Sequence, residues 1–155
     1  AIEKGGYYNI VGLIDDFAEV GIIKHGYQIL GGQREIPELY RQYGEPFIFI
    51  AVGDNTSRKR IYSENEGYGY PPIIHPTASI GKGTRIMAGA FIAAGAVVNS
   101  NSIVGKFTIV NTCASLDHDS KLMDFASMNP QSATGGRVFI GEKTTIGMEI
   151  GRAHV

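Results

Sequence analysis

The stretch CASLDHDSKLMDF, residues 113–125, sets His118 between Asp117 and Asp119. An imidazole changes charge near neutrality, so it can take a proton from an attacking nucleophile. A carboxylate beside it can fix the ring tautomer and stabilise the imidazolium that forms. Asp119 is the first candidate for that partner and Asp117 the second. The same residues would also suit a solvated turn, so their meaning depends on the scaffold. Nearer the start, Asp15 and Asp16 follow the apolar run IVGLI, and Gly53, Asp54 and Asn55 follow FIFIAV.

The scaffold of the second half is written as a repeat. From Ile74 an aliphatic residue returns every six positions through Ile92, Val98, Val104, Val110, Leu116, Leu122 and Met128 to Ile146, with Thr134 the one interruption. Four residues after each comes a mostly small residue, among them Ala90, Ala96, Ser102, Ala114, Ser120 and Ala126. Six is neither a helix period nor a strand period. It is one side of a coil with three short strands per turn, closed every eighteen residues, with the aliphatic residue inside and the small one in a crowded corner. Ordinary hairpins would instead show turn dipeptides at a spacing of about 8–12 residues. Coils of this kind stack as parallel strands about 4.8 Å apart.

In that register Leu116 points inward, Ser120 takes the corner, and His118 projects outward between them. One coil on from His118 is Gly136, which should stack beside it. A glycine lets backbone come close to a ligand, and its N–H can receive charge developing on a carbonyl oxygen. A plain turn glycine would fit the spacing as well. Asn111 is also outward in register and is a candidate for positioning a substrate.

Before the repeat, YYNIVGLIDDF and PFIFIAVGDN read as strands, and REIPELYRQYG and TSRKRIYSENEGYG as helices, with Pro37 in a first turn and Asp54 able to cap. Strand, helix, strand, helix predicts a small parallel α/β unit over residues 1–70, joined through GYGYPP to a β-helix over 71–155. Such sheets bind ligands beyond the carboxyl ends of their strands, where Asp15, Asp16, Gly53, Asp54 and Asn55 fall. The acidic residues would also serve as turn and cap residues.

Composition narrows the partners. The 14 Lys and Arg against 15 Asp and Glu are scattered, which gives no electrostatic footprint for nucleic acid or an anionic membrane. The run FIFIAV is far short of the roughly 20 apolar residues that span a bilayer. Cys113 is the single cysteine, so no internal disulfide forms, and the start lacks a basic-then-apolar leader. The expected compartment is the cytoplasm and the expected partner a small molecule.

The segments IGKGTRIMAGAFIAAGAVV and RVFIGEKTTIG resemble the hexapeptide repeat of left-handed parallel β-helix acyltransferases. With IPELY, AVGDN and IIHPTASI, the likeness is to sugar acetyltransferases of the sialic-acid O-acetyltransferase and bacillosamine N-acetyltransferase type. The resemblance implies a left-handed coil, a homotrimer with its site in the groove between subunits, acetyl-CoA as co-substrate, and a sugar or nucleotide-linked sugar as acceptor. It implies His118 as general base with Asp119 beside it, Gly136 near the thioester, and Asp15, Asp16, Gly53, Asp54 and Asn55 toward the nucleotide. Where the family carries a second histidine against acetyl-CoA, nine residues on, this chain has Ser127. His75 matches a structural position. The resemblance also implies a strand and glycine-rich loop before Ala1 and further coils after Val155, so that both domains are expected to be partial. Two other readings stand beside it. One is a non-catalytic trimeric scaffold or nucleotide-sugar-binding module. The other is a zinc enzyme on the same helix, which needs three converging histidines; His118 and His154 are two coils apart, and His75 lies off their column.

Overall fold

The computed structural model describes residues 1–148. Ile150 and His154 lie outside the described residues. From Ile73 onward the six-residue period becomes two-residue strands on three faces. One face stacks β4 (Ile73–Ile74), β7 (Phe91–Ile92), β10 (Ile109–Val110), β13 (Ser127–Met128) and β15 (Thr145–Ile146). A second stacks β5 (Ser79–Ile80), β8 (Val97–Val98) and β11 (Ser115–Leu116), and the third β6 (Arg85–Ile86), β9 (Ile103–Val104), β12 (Lys121–Leu122) and β14 (Phe139–Ile140). Every pairing is parallel and joins residues one coil apart, as in Ile92, Val110 and Met128, or Val104, Leu122 and Ile140.

Stacking is what buries the interior. Ile92, Val98, Val104, Val110, Leu116, Leu122 and Met128 are 0% exposed, whereas Ile74 and Ile80 in the first coil are each 38% exposed. Full burial of such a side chain stabilises by about 1.5–3 kcal/mol. The small series is buried with them, and the hydroxyls among it bond to nearby carbonyls: Ser102 to Asp117 O, Thr108 to Gly105 O, Ser132 to Asn129 O. At Thr134 the second face narrows to a single bridge between Ser115 and Ala133. The hydroxyl that replaces the aliphatic side chain there accepts a bond from Asp117 N at 3.3 Å.

Each turn from face to face after β5 passes through one residue with positive φ. These residues stack into three ladders: Gly83, Asn101, Asp119 and Arg137; Gly89, Phe107, Phe125 and Lys143; Gly95, Cys113 and Gln131. Glycine serves only as the first member of each ladder, at Gly83, Gly89 and Gly95. Left-handed backbone costs a residue with a side chain about 1–2 kcal/mol. The main-chain bonds made there, Asp119 N to Ser100 O, Phe125 N to Lys106 O and Gln131 N to Thr112 O, help offset it.

The first part of the chain is an α/β unit. A short helix α1 (Ile2–Gly5) precedes β1 (Leu13–Ile14), which pairs in parallel with β3 (Tyr27–Gly31). Strand β2 (Ile23–Lys24) pairs antiparallel with β3 through a tight turn at His25 and Gly26, both at positive φ. This hairpin is not anticipated by the strand-helix alternation. Helices α2 (Ile36–Gln42) and α3 (Asn55–Glu64) form where expected, with Pro37 in the first turn of α2 and Asp54 Oδ2 accepting from Ser57 N at 2.7 Å to cap α3. Residues 46–52 differ from expectation: they form no ladder. Their one main-chain to main-chain bond among the described residues is Ile48 N to Gly69 O, and they line a cleft of about 650 Å³ together with β1.

The α/β unit sits on the second ladder. Phe107 and Phe125 stack with centroids 5.3 Å apart and planes 5° apart, and Tyr62, Tyr70 and Ile50 close over them.

Candidate active site

The first ladder is open to solvent, and the candidate residues His118 and Asp119 stand on it. His118 precedes its left-handed Asp119, and the side chain of His118 is 51% exposed. Its backbone is held from several sides. Asp117 Oδ1 accepts from His118 N and from Asn99 Nδ2, both at 2.7 Å, while His118 O accepts from Arg137 N at 2.8 Å and from Ser120 Oγ at 3.3 Å. The small corner residue and the flanking coils therefore fix the direction in which the imidazole leaves the coil.

The ring itself is oriented by Asp119, whose Oδ2 lies 2.8 Å from His118 Nδ1. That hydrogen bond is the main reason the Asp119 carboxyl is held below the usual carboxylate range, with smaller help from Asn101 and Arg137. Asp117 is likewise lowered, first by the His118 main-chain N–H and then by Asn99. An ionised carboxylate only accepts, so His118 Nδ1 donates to Asp119, and in the neutral form of the ring Nε2 presents a lone pair. Nε2 lies over Gly136: a Cβ built there would fall 2.5 Å from Nε2 and 2.7 Å from Cε1. Any side chain at 136 would displace the ring. The Gly136 N–H donates to no main-chain acceptor among the described residues.

His118, Asp119 and Gly136 are thus brought together, and Asn99, Asn101 and Arg137 join them unannounced. The eighteen-residue step used for Gly136 also lands on Asn99 from Asp117, and on Asn101 and Arg137 from Asp119, and would have found them.

The other candidates lie elsewhere. Asn111 sits at the approach to the third ladder, with Oδ1 accepting from Thr112 N at 2.8 Å. Asp15 and Asp16 follow β1 directly. Asp15 pairs with Lys24 at 2.9 Å and accepts from Phe17 N, while Asp16 accepts from Gln33 N and Gln33 Nε2. These bonds hold both carboxyls below their ordinary values. Gly53 and Asp54 are exposed at the end of 46–52, but the Asp54 side chain serves as the α3 cap. Asn55 and Ser127, expected toward the nucleotide and acetyl-CoA, have their side chains bonded inside the protein. Both are buried in the seam, where Ser127 Oγ donates to Asn55 Oδ1 at 2.6 Å and Asn55 Nδ2 donates to Lys143 O and Thr145 Oγ1. The α/β unit covers this stretch of β-helix wall, which six-residue periodicity cannot foresee. His75 is buried and its Nδ1 accepts from Thr77 N at 3.1 Å. Among the described residues no group of three or more His, Cys, Asp or Glu could hold a metal ion, and no helix is long and apolar enough to cross a membrane.

Residues 1–65 match the family model of the PglD N-terminal domain. The acetyltransferase domain of PglB from Neisseria gonorrhoeae, solved in complex with acetyl coenzyme A, superposes with a TM-score of 0.85 at 30% identity, covering 94% of this chain and 70% of that one. A histidine-to-asparagine mutant of perosamine N-acetyltransferase from Caulobacter crescentus, in complex with CoA and GDP-perosamine, matches at 30% identity and TM-score 0.73 over 77% of this chain. The chain spans 58% of the length of that enzyme. WeeI from Acinetobacter baumannii shares the fold, at 21% identity and TM-score 0.69 over 83% of this chain and 59% of that one.

Fold and site together define a hexapeptide-repeat protein: an α/β unit followed by a left-handed parallel β-helix. The chain belongs to the family of sugar acetyltransferases that includes the PglB acetyltransferase domain.

Proposed function

We propose that the chain transfers the acetyl group of acetyl-CoA to the amino group of a nucleotide-linked amino sugar, with His118 as general base. The observation that carries this is the pairing of His118 Nδ1 with Asp119, which leaves Nε2 bare above Gly136. The acceptor amine attacks the thioester carbonyl carbon while Nε2 takes its proton, and Asp119 stabilises the imidazolium. The Gly136 N–H donates to the oxyanion of the tetrahedral intermediate. Collapse expels the CoA thiolate, which receives the proton from His118, so the ring ends as it began. Two proteins matched above were solved with CoA, or acetyl-CoA, and one of them with GDP-perosamine, which supports this choice of co-substrate and acceptor class.

In the same proposal Asp15, Asp16 and Gly53 face the nucleotide, as the residues beyond the carboxyl ends of β1 and of segment 46–52. Asn111 of a neighbouring copy contributes a donor in a homotrimer whose grooves hold the site, in the cytoplasm where acetyl-CoA is available. The test is thiol release from acetyl-CoA with nucleotide-linked amino sugars, against the same sugars bearing hydroxyl in place of amine. Release with the amine alone supports the proposal. Release with the hydroxyl alone moves the reaction to O-acetylation, and sugar binding without release makes the chain a binding module.

A further inference from the structure

Arg58 is 1% exposed and stands on α3 facing the β-helix. Among the described residues no carboxylate forms an ion pair with it. Its donors go to neutral acceptors: Nε to Phe107 O at 2.7 Å; Nη1 to Val52 O at 2.8 Å and Gly53 O at 2.9 Å; Nη2 to Asn55 Oδ1 at 2.7 Å, Phe125 O at 3.0 Å and Ser127 Oγ at 3.1 Å. The Phe107 and Phe125 carbonyls belong to successive residues of the second ladder and take no part in main-chain bonding between coils. Asn55 carries the same connection to the next coil through Lys143 O and Thr145 Oγ1.

Burying a guanidinium without a counter-ion is costly, and an apolar plug of similar size would often stabilise as well or better. What the planar fork supplies is fixed geometry, several directed bonds from one rigid group. Here they tie residues 52–55 to three successive coils. That loop ends the extended segment 46–52, at the site proposed above for the nucleotide.

We infer that Arg58 is a positioning residue for the acceptor: through Val52, Gly53 and Asn55 it holds the nucleotide-facing loop in register with the β-helix, and hence the amine in register with the catalytic rim. The inference rests on the acetyltransferase proposal for its kinetic reading, and on the bond network for the rest. It assigns Arg58 to the acceptor and not to acetyl-CoA.

The test is Arg58→Lys, which keeps the charge and loses the fork. Well below the melting temperature the acceptor KM rises about tenfold or more, while kcat and the acetyl-CoA KM stay within about twofold. Amide exchange quickens over residues 52–57 and stays slow at Val98, Val104 and Leu116. If the variant melts lower but keeps the wild-type acceptor KM, or if all kinetic constants fall together, Arg58 is a structural plug and the inference fails. Should Arg58→Lys not fold, Ser127→Ala removes two bonds of the network, those to Arg58 Nη2 and Asn55 Oδ1, and raises the acceptor KM about two- to fivefold; no change overturns the inference. If the wild type shows no turnover, the acetyltransferase proposal falls by itself. The positioning claim is then read from the Kd of guanosine and uridine diphosphates, which weakens in both variants if it is right and is unchanged if it is wrong.

Discussion

Two of the β-helix corners share one backbone and differ in everything attached to it. At the first, Asn101, Asp119 and Arg137 hold positive φ in successive coils, and His118 stands in solvent beside them. At the second, Phe107, Phe125 and Lys143 hold the same conformation, but there the aromatic pair is buried beneath α3. The coil makes equivalent rims, and what covers each decides its use. Covered, a rim can carry stacked rings and a guanidinium bonded to neutral acceptors. Open, it can carry an imidazole and a carboxylate, because both can exchange protons and meet substrates.

The comparison breaks most sharply if the open rim is disarmed. His118→Ala should lower turnover about 10²- to 10⁴-fold, the usual weight of a general base, with an unchanged circular dichroism spectrum and melting temperature. Phe107→Ala at the covered rim should do the reverse. It should cost about 3–5 kcal/mol of stability in a denaturant titration, since the ring is 1% exposed, and leave the His118 pairing intact. Next in size is Asp119→Asn, which no longer selects the Nδ1–H tautomer. Turnover should fall roughly ten- to hundredfold with the acetyl-CoA KM little changed, as steady-state kinetics would show.

The smallest effect is a pH dependence. Asp117 is held below its ordinary value in the fold, so the stability it contributes is present above the unfolded value of about 3.9 and is lost as pH falls through the lower folded one. Acid unfolding followed by circular dichroism should be shallower below about pH 4 in Asp117→Asn, and parallel to wild type at neutral pH. Identical acid limbs would remove Asp117 from the network that holds the histidine.

Much of this was legible because β-helix geometry is periodic in sequence. The aliphatic positions ending in Met128 and the small ones ending in Ser132 turn directly into burial, and the coil length leads from His118 to Gly136. The positive-φ ladders were hidden: glycine marks them only at Gly83, Gly89 and Gly95, and thereafter the residues are Asn, Phe, Cys, Asp, Gln, Arg and Lys. Contacts between the two units were hidden too, because they join residues far apart in sequence. Ser127 was expected near acetyl-CoA and Asn55 near the nucleotide, and nothing in either stretch of sequence foretold that their side chains bond to each other. Arg58 on a short polar helix resembled any solvated charge. The turn at His25 and Gly26 did leave a signal, a residue pair suited to positive φ between two apolar runs.

The central claim concerns one nitrogen atom, and nitrogen NMR of histidine-labelled protein observes it directly. With the His118 resonances assigned by their loss in His118→Ala, the ring at a pH where imidazole is neutral should carry its proton on Nδ1 and leave Nε2 bare. A proton found on Nε2 instead would mean that no base faces Gly136, and the mechanism drawn here would be wrong.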